Sequence, residues 1–298
     1  MPRAKANGIE LEYESFGDPQ QPTLLLIMGL GSQLLSWRPG LCEQLAARGF
    51  HVVRYDNRDC GLSSHLDTGP QPDLGAVLRG DPAGAPYLLS DLALDAVGLL
   101  DALGVRRAHL VGASMGGMIA QQLAITHPER VLSLCSIMSR PGDGVSGNPS
   151  PEAAALLVTP RPPDRAGAIE SGVRDWHILG SPDYPLDDQR LRANVAEALD
   201  RSDRKDGFGR QLAAILASPD RTPGLRTLTV PTLVVHGAAD PLVHPSGGEA
   251  TAAAVPGAEL LMLPGMGHDL PEALWPVIVD AVVANAAKAA DAAKAPTI

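Results

Sequence analysis

The chain has 298 residues, 45% of them hydrophobic but only 3% aromatic, so Ala, Leu, Val and Ile must supply the core. That length buries a sizeable core without a metal or disulfide staple. Thirty-four acidic against 24 basic residues leave a formal charge of −10, which argues against nucleic-acid and anionic-membrane partners, since both need clustered cations.

Cys42, Cys60 and Cys135 are an odd set with no zinc or redox spacing, so they read as buried free thiols in a reducing compartment. No metal and no organic cofactor is expected. Met1 to Glu14 has no apolar signal core, and Leu24 to Leu30 is too short to span a bilayer. The expectation is a cytoplasmic protein without a membrane partner, with a homodimer left open.

The first 27 residues read as β structure. Asn7-Gly8 is a hairpin turn signal, and Ile9, Leu11 and Tyr13 alternate with glutamates as in a half-exposed strand. Leu24 to Ile27 is a continuous apolar run, the pattern of a strand covered on both faces. Similar runs recur at 51–55, 108–112, 131–138, 232–236 and 259–263. Helical segments fall between them at 39–48, 88–103, 115–126 and 271–287, and the Ala/Lys tract after Asn285 reads as a fraying tail. Such alternation predicts an α/β fold with a mostly parallel sheet and helices on both faces. Residues 68–86 read as a Pro/Gly-rich loop. Residues 139–224 break the rhythm, with many prolines, no clear strand, and helices expected at 166–179 and 187–199. They read as a helical insertion over an active site, with a core domain of 1–138 and 225–298.

Gly112-Ala113-Ser114-Met115-Gly116 fits G-x-S-x-G between a strand and a helix. A sharp turn there strains the serine backbone, flanking glycines remove clashing side chains, and the helix N-terminus offers amides to a developing anion. Ser114 is therefore the candidate nucleophile. It needs a general base. His268, in the glycine-rich loop after the last strand, lies where open α/β sheets place their sites. His109 reads as a core residue, and His244 is the rival. Asp240, in the loop after 232–236, is the candidate acid that would hold the imidazole, with Asp143 as the substitute. Acyl transfer needs two amides facing the oxyanion. Met115 and Leu30, in Met28-Gly29-Leu30-Gly31, are the candidates. Asp56 to Ser63 reads as loop cross-linking rather than chemistry.

Together Met28 to Gly31, Asp56 to Ser63, Gly112 to Gly116, Asp240 and Gly267-His268 resemble the α/β-hydrolase superfamily nearly end to end, with its chain order of serine, acid and histidine. Within it the chain is most similar to the aclacinomycin methylesterase-like serine esterases, on Met28-Gly29, Arg54-Tyr55-Asp56 and Pro264 to His268. The resemblance implies a mostly parallel eight-stranded sheet with a helical cap inserted after the sixth strand. It implies a serine esterase acting through an acyl-enzyme, and serine at 114 excludes the chemistries that use aspartate there. The same triad serves lactonases, C–C bond hydrolases and cofactor-free haloperoxidases or perhydrolases. A dead hydrolase scaffold that only binds is the other class, and an intact triad argues against it. The expected partner is a small, largely apolar ester or lactone, in a pocket including Met138, Trp176 and His177. Arg140, Arg161 and Arg174 are the cations that could receive a charged acyl group instead.

Overall fold

The computed structural model describes residues 2–184, 187–204 and 206–294. Asn7 and Gly8 both take positive φ, +48° and +78°. A two-residue turn of that kind twists in the sense that antiparallel strands need. It joins β1 (Arg3–Ala6) to β2 (Ile9–Phe16), with Ala6 opposite Ile9. β3 (Thr23–Ile27) is buried along its whole length. Leu25 and Ile27 enter one apolar cluster, Leu24 and Leu26 the other, because successive strand side chains point to opposite faces. α1 (Pro39–Ala47) starts with proline at its first position and returns the chain to β4 (His51–Tyr55), which pairs with both β2 and β3.

The segment expected to be loop at 68–86 holds a short helix, α2 (Leu74–Leu78). Asp73 caps it by accepting from the Ala76 amide at 2.8 Å, and five residues are too few to show a helical period. α3 (Leu89–Ala102), β5 (Ala108–Ala113), α4 (Met115–Thr126) and β6 (Val131–Ile137) then add two helix–strand units, with β5 beside β3 and β6 beside β5.

Between β6 and the next strand lie α5 (Pro151–Leu156), α6 (Arg165–Leu179), α7 (Asp188–Arg201), α8 (Asp206–Ala217) and α9 (Thr222–Leu225). α6 and α7 fall where the periodicity predicts them, while α5, α8 and α9 were not foreseen. α6 and α7 pack on each other through Ile169, Val173 and Leu191, with Trp176, Val195 and Leu199 around them. α8 and α9 instead join the main core through Ala214 and Leu225.

β7 (Thr232–Gly237), α10 (Ser246–Ala254), β8 (Glu259–Leu263) and α11 (Trp275–Lys294) complete the chain. The eight strands run in the order β1-β2-β4-β3-β5-β6-β7-β8. The pairs from β4 onward are parallel; β1-β2 and β2-β4 are antiparallel. Residues of α3, α4 and α10 cover one face and residues of α1 and α11 the other. β8 departs from the sequence reading. It is an edge strand of the sheet, with Leu260 41% exposed, so its apolar run marks half-cover rather than full burial. α11 starts later than expected because Glu272–Leu274 form a 3-10 turn, and it continues to Lys294. The last part of the expected tail, 295–298, lies outside the described residues.

Candidate active site

β5 ends and α4 begins within one residue, Ser114, at φ +55° and ψ −122°. That is a costly conformation for a residue with a Cβ, of order 1–3 kcal/mol, and it persists only where the surroundings enforce it. Here the Ser114 amide donates to Ile137 O at 2.9 Å, and Ser114 O accepts the first helical bonds from Gly117 and Met118. The flanking glycines are steric requirements. A Cβ on Gly112 would sit 2.1 Å from Gly116 O, and one on Gly116 would sit 1.9 Å from Ile27 O. Gly116→Ala must therefore push α4 off β3. We expect it to cost at least about 1–3 kcal/mol and to lower esterase activity more than tenfold, as checked by urea unfolding beside steady-state rates. An alanine variant with wild-type stability would contradict the contact.

His268 bridges the serine and the acid. Its Nδ1 lies 2.7 Å from Asp240 Oδ2, and its Nε2 lies 3.0 Å from Ser114 Oγ. A carboxylate only accepts, so Nδ1 carries the proton and Nε2 keeps its lone pair for the serine hydroxyl. The other carboxylate oxygen, Oδ1, accepts from the Leu242 and Val243 amides, both at 2.9 Å. Asp240 is buried and its orientation is set by three donors. The histidine loop is held from the end of α6. The His268 amide donates to Leu179 O at 2.7 Å, and the Gly267 amide to Ser181 Oγ at 2.8 Å. Ser181 in turn donates to Asp269, whose carboxyl burial pushes above the ordinary range.

Met115 directly follows the serine, and Leu30 belongs to a loop that passes beside it. A Cβ on Gly29 would lie 3.0 Å from Ser114 Cβ, so the Met28–Gly31 loop passes close against Ser114. Asn57 Nδ2 fixes that loop by donating to Met28 O at 2.8 Å. The Gly31 amide is committed to Gln211 Oε1 at 2.8 Å. Among the described residues no acceptor takes the Leu30 amide, and Met115, as the first residue of α4, has no acceptor within its helix.

The loop after β4 is bonded to α7 and α8. Asp56 accepts from the Leu34 and Leu62 amides and from Arg201 of α7 at 2.7 Å. Asp59 accepts from Nε and Nη2 of Arg210 on α8, at 2.9 and 2.7 Å. Gln211 also donates to Arg58 O at 2.7 Å. Sequence reasoning read the Asp56–Ser63 loop as a cross-link but missed its partners Arg201, Arg210 and Gln211. It also missed Ser181 and Asp269.

Of the pocket candidates, Met138 follows β6 at φ +41° and is buried in the apolar cluster that contains Met28 and Met266. Trp176 packs on the small core of α6 and α7. His177 points an exposed imidazole at Asp188, 2.9 Å away, and lines a surface cleft with Ala239 and Pro241. Arg140 donates to Asn148 Oδ1 at 3.1 Å, and Arg161 and Arg174 are exposed. The rival residues fall elsewhere. His244 bonds Ser246, Asp143 accepts from Val145 and Ser146, and His109 lies against Ser133 and Phe50. Burial lowers the His109 pKa to about 4.

The α/β hydrolase fold family matches residues 22–272. The chain belongs to the α/β-hydrolase family. It is similar to rhodomycin D methylesterase DauP of Streptomyces sp. strain C5, at 32% identity over 93% of this chain and 95% of that one. It is also similar to rhodomycin D methylesterase DnrP of Streptomyces peucetius, at 31% over the same shares. Among solved structures, the enol-lactonase from Burkholderia xenovorans LB400 matches with a TM-score of 0.75 at 26% identity, covering 95% of this chain and 99% of that one. Among the described residues of this α/β-hydrolase, no helix is long and apolar enough to cross a membrane.

Proposed function

We propose that the protein hydrolyses a carboxylic ester of a small, largely apolar molecule through an acyl-enzyme on Ser114. The observation that carries this is His268, set 2.7 Å from Asp240 and 3.0 Å from a serine at φ +55°. Ser114 Oγ passes its proton to His268 Nε2 as it attacks the ester carbon. The carbonyl oxygen becomes an oxyanion facing the Leu30 and Met115 amides, and Asp240 stabilises the imidazolium. The imidazolium then protonates the leaving alcohol. A water gives its proton to the same histidine as it attacks the acyl-enzyme, and the imidazolium returns that proton to Ser114 Oγ as the acid leaves.

Similarity to two methylesterases supports a methyl ester as the substrate type. Residues 139–224 are assigned as a cap over this site, held to the core by Arg201, Arg210 and the Leu179–Ser181 segment. Arg140, Arg161 and Arg174 engage other partners or solvent, which supports an uncharged acyl group lying against Leu30, Met115, Met138 and Trp176. The three buried, unpaired cysteines suit the cytoplasm. A lactonase is the second reading, favoured by the enol-lactonase match, and the same groups open a cyclic ester.

A panel of methyl esters, p-nitrophenyl esters and lactones tests both. We expect kcat/KM to rise as the acyl chain lengthens, by up to about tenfold per pair of buried methylenes at ~0.8 kcal/mol each. It should fall when a carboxylate is added to that chain. Lactones outrunning every open ester would decide for the second reading. An inert panel, together with no labelling of Ser114 by a fluorophosphonate, would sink both.

A further inference from the structure

A second imidazole lies behind the acid. His236, the fifth residue of β7, is fully buried, and its Nε2 is 2.8 Å from Val243 O. A carbonyl only accepts, so Nε2 carries a proton. That same nitrogen is 3.7 Å from Asp240 Oδ2, the oxygen that receives His268. Nδ1 is buried without a hydrogen-bond partner and is packed against α10, where a Cβ on Gly248 would lie 2.4 Å from it. A proton there would have no acceptor, so the ring is neutral with Nε2 protonated.

Val243 is thus gripped twice. Its amide donates to Asp240 Oδ1, and its carbonyl accepts from His236. We propose that His236 is a positioning residue of the active site, which fixes the Val243 peptide and through it the angle at which Asp240 meets His268. The inference rests on the hydrolase reading above. Losing the Nε2 donor frees the Val243 carbonyl, lets its peptide turn, and strips one amide from the carboxylate. A carboxylate that swings away stabilises the imidazolium less, which weakens the triad's general base and moves the acid limb of the pH profile. The charged and titratable groups around His236 are Asp240 on its own loop, His268 on the loop after β8 and Glu249 on α10. Glutamine at 236 keeps a nitrogen donor near the Nε2 position; leucine and asparagine do not reach Val243 O.

The rate at which a fluorophosphonate labels Ser114, followed against pH, tests this without knowledge of the substrate. In His236→Leu we expect about tenfold slower labelling on the plateau and an acid limb moved down by about half a pH unit or more. His236→Gln should restore both, with thermal melts confirming that each variant is folded. Should the leucine variant fail to fold, His236→Asn makes the same comparison with glutamine. Wild-type protein that is not labelled would overturn the hydrolase reading itself. Labelled wild type with the same limb and plateau in the leucine or asparagine variant would overturn the role of His236 alone. Slower labelling that glutamine does not rescue, with an unmoved limb, would reduce His236 to packing.

Discussion

Ser114→Ala should lose ester hydrolysis by about five to six orders of magnitude in kcat while KM changes little, because binding and the two amides remain. The alanine keeps the Cβ and therefore the strain at φ +55°, so its stability should match wild type. Ser114→Gly makes the sharper comparison. It removes the hydroxyl and the Cβ together, so it should be equally inactive yet about 1 kcal/mol more stable, since relief of a strained backbone outweighs the chain entropy of glycine. Activity and stability are thus expected to move in opposite directions at one residue. A glycine variant less stable than wild type would show that the elbow is held without strain. Retention of more than a tenth of the rate in either variant would remove Ser114 from the chemistry.

The elbow could be read from the sequence because its steric demands are local. Gly112 and Gly116 are four residues apart, and each faces a backbone atom that leaves no room for a side chain. The strands were legible for a similar reason, since a run such as Leu24 to Ile27 must be covered on both sides. What the sequence hid is long-range. Gln211 holds Gly31 across 180 residues, and Arg210 holds Asp59 across 151. α8 was hidden by its own start, Asp206-Gly207-Phe208-Gly209, which reads as loop. Gly207 is there because Asp59 O would lie 1.9 Å from a Cβ, a close approach between segments far apart in the chain. His236 read only as a strand end, because its partner Val243 is fixed by the turn around Asp240 rather than by any pattern in the residues.

Breaking that distant anchor should have the largest effect on stability. Arg210 and Asp59 are both fully buried as side chains. Burial alone would raise the Asp59 carboxyl, but Arg210, with the Leu66 amide and the Tyr87 hydroxyl, brings it below the ordinary carboxylate range. Arg210→Leu leaves that charge stranded, and we expect a loss of about 3–5 kcal/mol in urea unfolding at pH 7. In wild type the depressed carboxyl contributes stability above its unfolded value, about 3.9, and that contribution is lost only as pH falls through the folded one. In the variant, burial without a counter-charge raises the folded value instead, so protonation relieves the penalty as pH falls from neutral. The gap between the two proteins should therefore be widest at pH 7 and narrower near pH 5. Adding Asp59→Asn to Arg210→Leu should recover much of the loss at pH 7, because the stranded charge is gone. A gap below about 1 kcal/mol, or one that widens on acidification, would mean that the pair contributes no more than an exposed ion pair. Where the loss is seen, kcat should fall with it, since Gln211, the next residue of α8, is what holds the Gly31 amide beside the proposed oxyanion donor.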